Sequence, residues 1–439
     1  MLTSVPLSPR SIEEYRPVAG DEPIEEILEL ARDLRGARVV HVNATAFGGG
    51  VAEILGTLVP LMNDVGLHAE WQVIRGSDEL FRVTKAMHNS LQGMFIDWTT
   101  QMTDTWLHYN RLNAEQFDQP WDFVVIHDPQ PAALPFFIRE HGAGADSHFW
   151  IWRCHIDLTD AHVQVWDLLR RYVELYDAAI FTLREYAKED LRRPQIFAVP
   201  PAIDPLSPKN FPIGEQDVAA ILSRYGVDPS ATYLLQVSRF DPWKDPLGVI
   251  DAYRKVRETH PDTHLVLIAS MAHDDPEGWA WYERTVRRAG EDYAIHILSN
   301  LNGVGNLEVN AFQRAARVVL QKSVREGFGL VVSEALWKGR PVVAGNVGGI
   351  PLQIVDGVTG FLVNSTEECA ARVAELLGDP ARADAMGQAG HEHVRQRFLT
   401  TRYLRDYLRI FRGLTRGERA PEEAQPSVSE IPASSEART

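Results

Sequence analysis

Two series of alternating strand-like and helix-like segments, separated by a proline-rich break, constrain the fold of this chain most strongly. Short apolar runs typical of buried strands recur between residues 37 and 199, and segments with apolar residues at helical spacing lie between them. Pro200, Pro201 and the polar segment 204–212 interrupt the alternation, and a second series begins at residue 233. This pattern predicts two domains joined by a linker, each with a parallel sheet covered by helices.

The predicted fold class is therefore α/β, with two facing doubly wound (Rossmann-like) domains and a cleft between them. Strands are predicted at residues 37–43, 69–74, 122–127, 148–153, 178–182, 195–199, 233–237, 263–268, 294–298, 318–320, 341–344 and 360–363. The predicted divisions are an N-terminal extension (1–36), an N-terminal domain (37–203), a C-terminal domain (204–398), a final helix (399–415) and a disordered tail (416–439). The tail has almost nothing to bury.

Composition restricts the partners. The 44 basic and 60 acidic residues give a formal net charge of −16, which argues against nucleic acids and anionic membranes as general partners. The 2 cysteines cannot form a disulfide framework, so a reducing compartment fits. We see neither a signal peptide nor an apolar run of the roughly 20 residues that a membrane span needs. These features predict a cytoplasmic protein.

The segment 323–351 combines two carboxylates with a flexible loop. Glu326 opens the loop Gly327-Phe328-Gly329, a helix is predicted from Leu330, and Glu334 lies on that helix. Backbone N–H groups at Gly329 and Leu330 would suit a phosphate. The two glutamates suit the hydroxyl pairs of a sugar and a ribose, although a general acid and base, or a cap and a solvated helix residue, are alternatives.

Two cations follow the predicted strand 233–237. Arg239 and Lys244 lie in the segment SRFDPWKDP, at the carboxyl end of the strand. Fixed cations there suit a diphosphate, whose charge must be held while it departs. The alternative is a surface turn in which these cations pair with Asp241 and Asp245.

Polar residues also follow the predicted strands of the N-terminal domain. His127 and Asp128 follow one strand, and His155 and Asp157 follow the next, where a sugar hydroxyl could be bound. A metal site is disfavoured because the side chains come from separate loops without helical His spacing. A buried structural histidine is the alternative for His127. The glycines at 48–50 would allow a ligand to approach the backbone closely. A polar helix with Lys85, His88, Asn89 and Gln92 either lines an acceptor pocket or is a solvated helix.

These segments resemble a known family. SRFDPWK, the glutamates at 326 and 334, and GNVGGIP resemble the retaining glycosyltransferases of family four, which have the GT-B fold. More narrowly, the chain resembles the trehalose glycosyltransferring synthases that use NDP-glucose. The similar segments are GGGVAEILGTLVPLM, VTKAMHNSLQG, VIHDPQP, WRCHIDL, PPAIDPLSPKN and EGFGLVVSEALWKGRPVVAGNVGGIPLQI. The resemblance implies that the final helix crosses back to the N-terminal domain.

The resemblance also implies roles for single residues. Arg239 and Lys244 would hold the donor diphosphate, Glu326 the transferred sugar and Glu334 the ribose, while His155 would lie beside the reacting carbon. The predicted catalytic residues are His155, Arg239, Lys244 and Glu326. The predicted donor-binding residues are Gly49, Gly50, Arg239, Lys244, Glu326, Gly327, Phe328, Gly329, Leu330 and Glu334. The predicted acceptor-binding residues are Lys85, His88, Asn89, Gln92, Asp128, His155 and Asp157.

The predicted activity is reversible transfer of glucose from ADP-, UDP- or GDP-glucose to glucose, which forms α,α-trehalose with retention of configuration. Alternatives are a trehalose phosphorylase, transfer to another small acceptor, and a sugar or nucleotide sensor without activity. We expect no tightly bound cofactor, and Mg²⁺ would accompany the diphosphate without a metal site of the protein. The sequence leaves the oligomeric state open, a homodimer included.

Overall fold

The computed structural model describes residues 2–47, 49–117, 119–141, 147–271 and 276–420. Within these residues the chain forms two separate sheets, and we refer to the parts around them as the N-terminal half and the C-terminal half. Gly48 of the glycine segment and residues 421–439 of the predicted tail lie outside the described residues.

The strands of the N-terminal half are β1 (Thr3–Ser4), β2 (Arg38–Asn43), β3 (His68–Val73), β4 (Phe123–His127), β5 (Phe149–Arg153), β6 (Ala178–Phe181) and β7 (Gln195–Ala198). Its helices are α1 (Arg16–Ala19), α2 (Asp21–Arg32), α3 (Gly50–Asp64), α4 (Asp78–Leu91), α5 (Thr100–Ala114), α6 (Leu134–His141) and α7 (Val163–Val173). The sheet order is β1-β3-β2-β4-β5-β6-β7. All neighbouring strands are parallel except β1, which pairs antiparallel with β3.

The C-terminal half contains β8 (Tyr233–Val237), β9 (His264–Ala269), β10 (Ile295–Ser299), β11 (Val318–Gln321), β12 (Val342–Gly345) and β13 (Gly360–Val363). Its helices are α8 (Glu215–Arg224), α9 (Pro246–Arg257), α10 (Pro276–Ala289), α11 (Asn306–Ala315), α12 (Leu330–Trp337), α13 (Thr366–Gly378) and α14 (Pro380–Arg397), and α15 (Thr400–Thr415) follows. The sheet is fully parallel in the order β10-β9-β8-β11-β12-β13.

The predicted α/β architecture with two Rossmann-like sheets is confirmed. Each predicted strand is present, and its bounds differ by at most one residue at either end. Central strands are buried on both faces, as in β4, where all five residues are buried, because helices cover both sides of a parallel sheet. The edge strand β1 was not predicted, since two residues carry no recognisable alternation.

The chain crosses between the halves at two places that hydrogen-bond to each other. The N–H of Ile203 donates to the carbonyl of Phe398 (2.8 Å), and the N–H of Thr400 donates to the carbonyl of Ile203 (2.9 Å). The next residue, Asp204, accepts a hydrogen bond from the hydroxyl of Tyr15 (3.0 Å). One junction therefore ties both crossings to the N-terminal half.

After the second crossing, α15 packs on the N-terminal half. Its buried face joins the core formed by α2, α3 and the sheet, and Phe411 stacks on Phe123 of β4 with ring centroids 4.2 Å apart. On its outer edge, Arg405 and Arg409 pair with Glu26 of α2. Among the described residues, no helix has the length and apolar character that crossing a bilayer requires.

The α15 contact predicts a large stability effect. Phe411→Ala should lower the free energy of unfolding by about 3–5 kcal/mol, because it removes a fully buried ring and leaves a cavity. Urea unfolding followed by circular dichroism measures the change. Phe411→Leu is the matched control and should cost less than about 1.5 kcal/mol. Equal small losses for both variants would contradict this packing.

Candidate active site

The strand order reverses once in each sheet. In the N-terminal half β3 and β4 lie on opposite sides of β2, and in the C-terminal half β9 and β11 lie on opposite sides of β8. Where the strand order reverses, the loops that follow two adjacent strands leave the carboxyl edge of the sheet in opposite directions. Ligands of doubly wound folds bind in the crevice between these loops. The loops that flank these two crevices carry Gly49, Asp128, Arg239, Lys244 and Glu326.

Lys244 and Glu326 form an ion pair between the loops after β8 and β11. The Glu326 carboxylate also accepts hydrogen bonds from Gln321 Nε2 (3.2 Å) and Ser323 Oγ (3.3 Å). Burial by itself would raise the pKa of Glu326, but the Lys244 ammonium and these two donors outweigh it and hold the pKa below its ordinary value. Glu326 is thus a carboxylate at neutral pH and has no proton to give as a general acid.

Arg239 lies at the open side of the same crevice. Its side chain is 64% exposed, and its guanidinium is 3.4 Å from the Asp241 carboxylate. The ion pair with Asp241 that the surface-turn alternative predicts is therefore observed for Arg239. The other predicted partner, Asp245, pairs with Lys322 and not with Lys244. Since Arg239 is accessible and only loosely paired, an incoming anion can reach it.

The loop after β11 is shaped by glycines. Gly329 has φ +82, a left-handed conformation, directly before α12. Gly348 has φ +55, and a Cβ there would lie 1.7 Å from the Glu326 carbonyl. The Phe328 side chain is buried in the core beside Phe398, with ring centroids 5.7 Å apart, so it is not presented to the cleft as a donor-binding side chain. Only the backbone of Phe328 is left to contact a ligand.

Glu334 lies on α12 beside a polar cavity of about 200 Å³. Its carboxylate is 3.3 Å from Lys209 Nζ and 3.4 Å from Gln313 Nε2. Lys209, in the linker, also binds Glu53 of α3 at 2.7 Å. Leu330 lines the same cavity and lies against Gly50, where a Cβ would be 2.7 Å from Leu330 Cδ1. Lys209 thus bridges carboxylates from the two halves.

The N-terminal half contacts the loop after β11 directly. The Tyr186 hydroxyl donates to the carbonyl of Gly327 (3.1 Å), and a Cβ on Gly327 would lie 2.9 Å from the carbonyl oxygen of His155. Arg325 pairs with Asp160 of the N-terminal half. The halves therefore meet around the Glu326 loop, and His155 and Glu326 lie at the same junction.

Asp128 and Asp157 have different surroundings. Asp128 has φ +63, and its Oδ1 accepts a hydrogen bond from the His155 N–H (2.8 Å). Burial raises the pKa of Asp128 to about 6. Strained backbone of this kind is common at functional sites. Asp157 Oδ1 is used within its own loop, where it accepts from Thr159 N (2.9 Å) and Thr159 Oγ1 (2.6 Å).

The predicted acceptor helix is α4, and its carboxyl end approaches the cations of the C-terminal half. Burial and, secondly, the charge of Arg239 lower the pKa of His88 to about 4, and a hydrogen bond joins His88 to Gln92. Asn89 is partly buried on the same helix, and Lys85 is exposed. The structure therefore brings His88 of α4 close to Arg239, and Gln92 directly follows that helix.

Within the described residues, no cluster of three or more His, Cys, Asp or Glu side chains could hold a metal ion. The histidines after the strands instead bind one another, since His155 Nε2 is 3.1 Å from His127 Nδ1. His127 is buried, which agrees with the alternative that it is a structural histidine.

Comparison with known proteins assigns the family. Residues 41–188 match the family model described as the trehalose synthase N-terminal domain, and residues 219–393 match the glycosyl transferases group 1 model. A trehalose synthase of Rubrobacter xylanophilus is 52% identical over 414 residues, which cover 94% of this chain and 99% of that protein. The trehalose synthase of Pyrococcus horikoshii is 48% identical over 407 residues, 92% and 97% of the two chains. The chain belongs to the trehalose synthase family. It is a glycosyltransferase.

Solved structures share the GT-B fold of this trehalose synthase family member. Trehalose-6-phosphate synthase from E. coli, bound with UDP-2-fluoro glucose, superposes with a TM-score of 0.70 at 15% identity and covers 85% of this chain and 99% of its own. A sucrose-phosphate synthase from Thermosynechococcus elongatus has a TM-score of 0.65 at 15% identity, covering 87% and 99%. These likenesses establish the architecture.

Sequence reasoning missed several residues that join the halves around the site. Lys209, Tyr186 and Arg325 each contact a partner more than a hundred positions away, so no local pattern reveals them. His41 carries a weak signal, because it is a polar residue within an otherwise apolar predicted strand.

Lys209 should be important for stability. Lys209→Met leaves the buried Glu334 carboxylate without its cation, and we expect the free energy of unfolding to fall by about 3 kcal/mol, as when one partner of a buried pair is removed. Denaturant unfolding measures the loss. The additional change Glu334→Gln should restore more than half of it.

Lys255→Met is the matched control, because Lys255 pairs with an exposed carboxylate, Glu367, at the surface. It should change the free energy of unfolding by less than about 1 kcal/mol. If Lys209→Met and Lys255→Met have the same small effect, the Lys209 bridge does not stabilise the folded protein.

Proposed function

We propose that this protein transfers glucose from an NDP-glucose to glucose, with retention of configuration, and so forms α,α-trehalose in a reversible reaction. The observation that carries this proposal is the Lys244–Glu326 pair, which joins the two loops at the crevice of the C-terminal half, beside the loop that contains His155. It is supported by relatives named trehalose synthase and by a fold neighbour bound with UDP-2-fluoro glucose.

The donor would bind mainly to the C-terminal half. Arg239 and Lys244 would hold the diphosphate, a role that suits one accessible fork-shaped cation and one point charge. Glu326, as a carboxylate, would accept hydrogen bonds from hydroxyls of the transferred glucose. Glu334 would take the ribose from the cavity that it lines, and its pair with Lys209 would have to share that carboxylate.

The acceptor glucose would bind to the N-terminal half, between α4 and the loops after β4 and β5. His88, Gln92 and Asp128 supply polar groups there. Contact of the halves around Gly327 excludes water and aligns the reactants, which removes an entropic part of the barrier.

In the reaction step, the 1-hydroxyl oxygen of the acceptor forms a bond to the anomeric carbon of the donor as the bond from that carbon to the diphosphate oxygen breaks. The departing phosphate takes the hydroxyl proton, so both events occur on one face and the α-configuration is kept. Arg239 and Lys244 stabilise the charge that develops on the diphosphate. Mg²⁺ that arrives with the diphosphate would supply further charge stabilisation there.

A donor panel tests the proposal. The protein is incubated with glucose and ADP-, UDP- or GDP-glucose, and trehalose is detected by chromatography and released NDP by an enzyme-coupled assay. We expect trehalose and NDP in equal amounts with at least one donor. Carbon-13 NMR of the product made from labelled donor should show the α,α-linkage.

The reverse reaction distinguishes the proposed transfer from a phosphorylase activity. That alternative is suggested by similarity to trehalose phosphorylases, such as that of Pleurotus pulmonarius, which is 28% identical over 432 residues. This chain covers 58% of the length of that relative. Trehalose with NDP should yield NDP-glucose. Formation of glucose 1-phosphate from trehalose and phosphate, without any reaction with NDP, would replace the proposal by phosphorolysis.

Arg239→Ala should lower kcat/KM by on the order of 10²-fold, because it removes a cation that stabilises the transition-state charge. Steady-state kinetics with the preferred donor measure the loss. Arg287→Ala is the matched control, since Arg287 is also an exposed arginine of the C-terminal half beside a carboxylate, that of Glu283. A loss below fivefold in folded Arg239→Ala would exclude this role for Arg239.

A further inference from the structure

Three imidazoles form a hydrogen-bonded row at the switch point of the first sheet. His41 Nδ1 in β2 is 3.0 Å from His127 Nε2 at the end of β4, and His127 Nδ1 is 3.1 Å from His155 Nε2 after β5. The rings of His127 and His155 are stacked, with an interplanar angle of 13°. The row therefore runs from the protein interior, where His41 is fully buried, to His155, a partly exposed residue.

The row has a direction. A neutral imidazole carries one proton, so each ring can donate from one nitrogen and accept at the other. Among the described residues, His41 Nε2 is buried without any hydrogen-bond partner. Among backbone groups, a buried N–H without a partner is rarer than an under-satisfied buried carbonyl, and we apply the same preference to the ring nitrogens. His41 therefore carries its proton on Nδ1 and donates it to His127.

The direction at His41 determines the next two rings. His127 accepts at Nε2, so its proton is on Nδ1 and is donated to His155 Nε2. His155 accepts at Nε2, so its own proton is on Nδ1. His155 as a residue is partly exposed, its backbone carbonyl lies beside Gly327, and no described residue takes a hydrogen bond from its Nδ1. His155 thus offers an N–H at the junction of the halves.

The surroundings keep all three rings neutral. Burial lowers the pKa of His41 to about 3, and burial followed by neighbouring charges lowers the pKa of His127 and His155 well below the ordinary value. The other charged and titratable groups around the row are Asp128 after β4, Arg153 in β5, Cys154 after β5, and Tyr403 and Tyr407 of α15. Arg153 is fully buried and repels a proton on the nearest rings.

We propose that His41 and His127 are positioning residues that fix His155 as the Nδ1–H tautomer, so that His155 donates a hydrogen bond to a sugar oxygen at the reacting centre. The sugar as the ligand rests on the proposed function, whereas the tautomer is a property of the protein alone. Through this row, an interior residue that touches no substrate controls the hydrogen-bonding character of the active site.

Side-chain NMR tests the tautomer without any substrate. The full chain is labelled with ¹⁵N-histidine, and long-range ¹H–¹⁵N correlation spectra at pH 7 distinguish the protonated from the unprotonated ring nitrogen. His155→Gln identifies the His155 signals by their loss. We expect His155 to be protonated at Nδ1 in the unsubstituted protein, and a predominantly Nε2-protonated His155 would overturn the proposal.

Two substitutions of His41 test its role. His41→Leu removes the donor at the start of the row, so His155 should become a mixture of tautomers. His41→Asn places an amide N–H near the position of Nδ1 and should retain the single tautomer. An unchanged His155 spectrum in His41→Leu would overturn the proposal, and if that variant fails to fold, the spectra of the unsubstituted protein and His41→Asn decide it.

Kinetics give the functional part of the test. His41→Leu should lower kcat about tenfold and leave the KM values nearly unchanged. Losses of this size are seen when a residue that orients a metal ligand is replaced. His41→Asn should restore most of the rate. Equal losses in both variants, or losses in KM alone, would indicate a structural role and overturn the proposal. If no NDP-glucose supports turnover, the proposed function fails, and the spectra still decide the tautomer.

Discussion

The site depends on one constraint: ionised side chains at the interface between the two halves must be paired with groups of opposite charge. Ionised groups that leave water need a partner, and the acidic chain supplies carboxylates in excess. Lys209 joins Glu53 of the N-terminal half to Glu334 of the C-terminal half, and Arg325 reaches across to Asp160. Both pairs join the halves, and the Lys209 pair also neutralises the buried carboxylate of Glu334.

The same balance explains how a diphosphate would enter the proposed site. Lys244 is already paired with Glu326, so a new anion must share it, and the two negative groups are then held by one ammonium. Arg239 has a different position, with most of its side chain in solvent and a long contact to Asp241. Arg239 can therefore meet the anion first, at little cost in lost contacts, before the buried lysine is shared.

The fold and the site differ in how far the sequence reveals them. Every strand predicted from a continuous apolar run is present, because a sheet covered on both faces leaves a strong local pattern, and the reversal of strand order then places Arg239 and Glu326 in one crevice. Phe328 shows the limit of motif reasoning. Its neighbours form the loop, but its own ring packs in the core of the C-terminal half.

The contacts that sequence reasoning could not reach are those between distant segments. Lys209 and Glu53 are 156 positions apart, and His41 and His127 are 86 positions apart, so neither pair lies within one helix or strand period. Lys209 is a lysine in a linker and His41 is a histidine in a strand, and neither position predicts which residue it contacts. Their roles depend on tertiary contacts. In each pair, the partner from a distant segment supplies the hydrogen bond or the charge that the residue would otherwise lack.

The protonation states of the site restrict the chemistry that it can perform. Glu326 is held as a carboxylate by Lys244, so it cannot give a proton, and an imidazole that presents Nδ1–H cannot receive one at that nitrogen. Asp128 has a raised pKa of about 6, but its Oδ1 is already bound by the His155 N–H, and its backbone is strained to hold it there. In the proposed reaction these groups therefore orient hydroxyls, and the oxygen of the departing diphosphate is the base that takes the acceptor proton. Such a reaction needs cations that keep the diphosphate in place until the proton has moved, and in the proposed site Arg239 and Lys244 would be those cations.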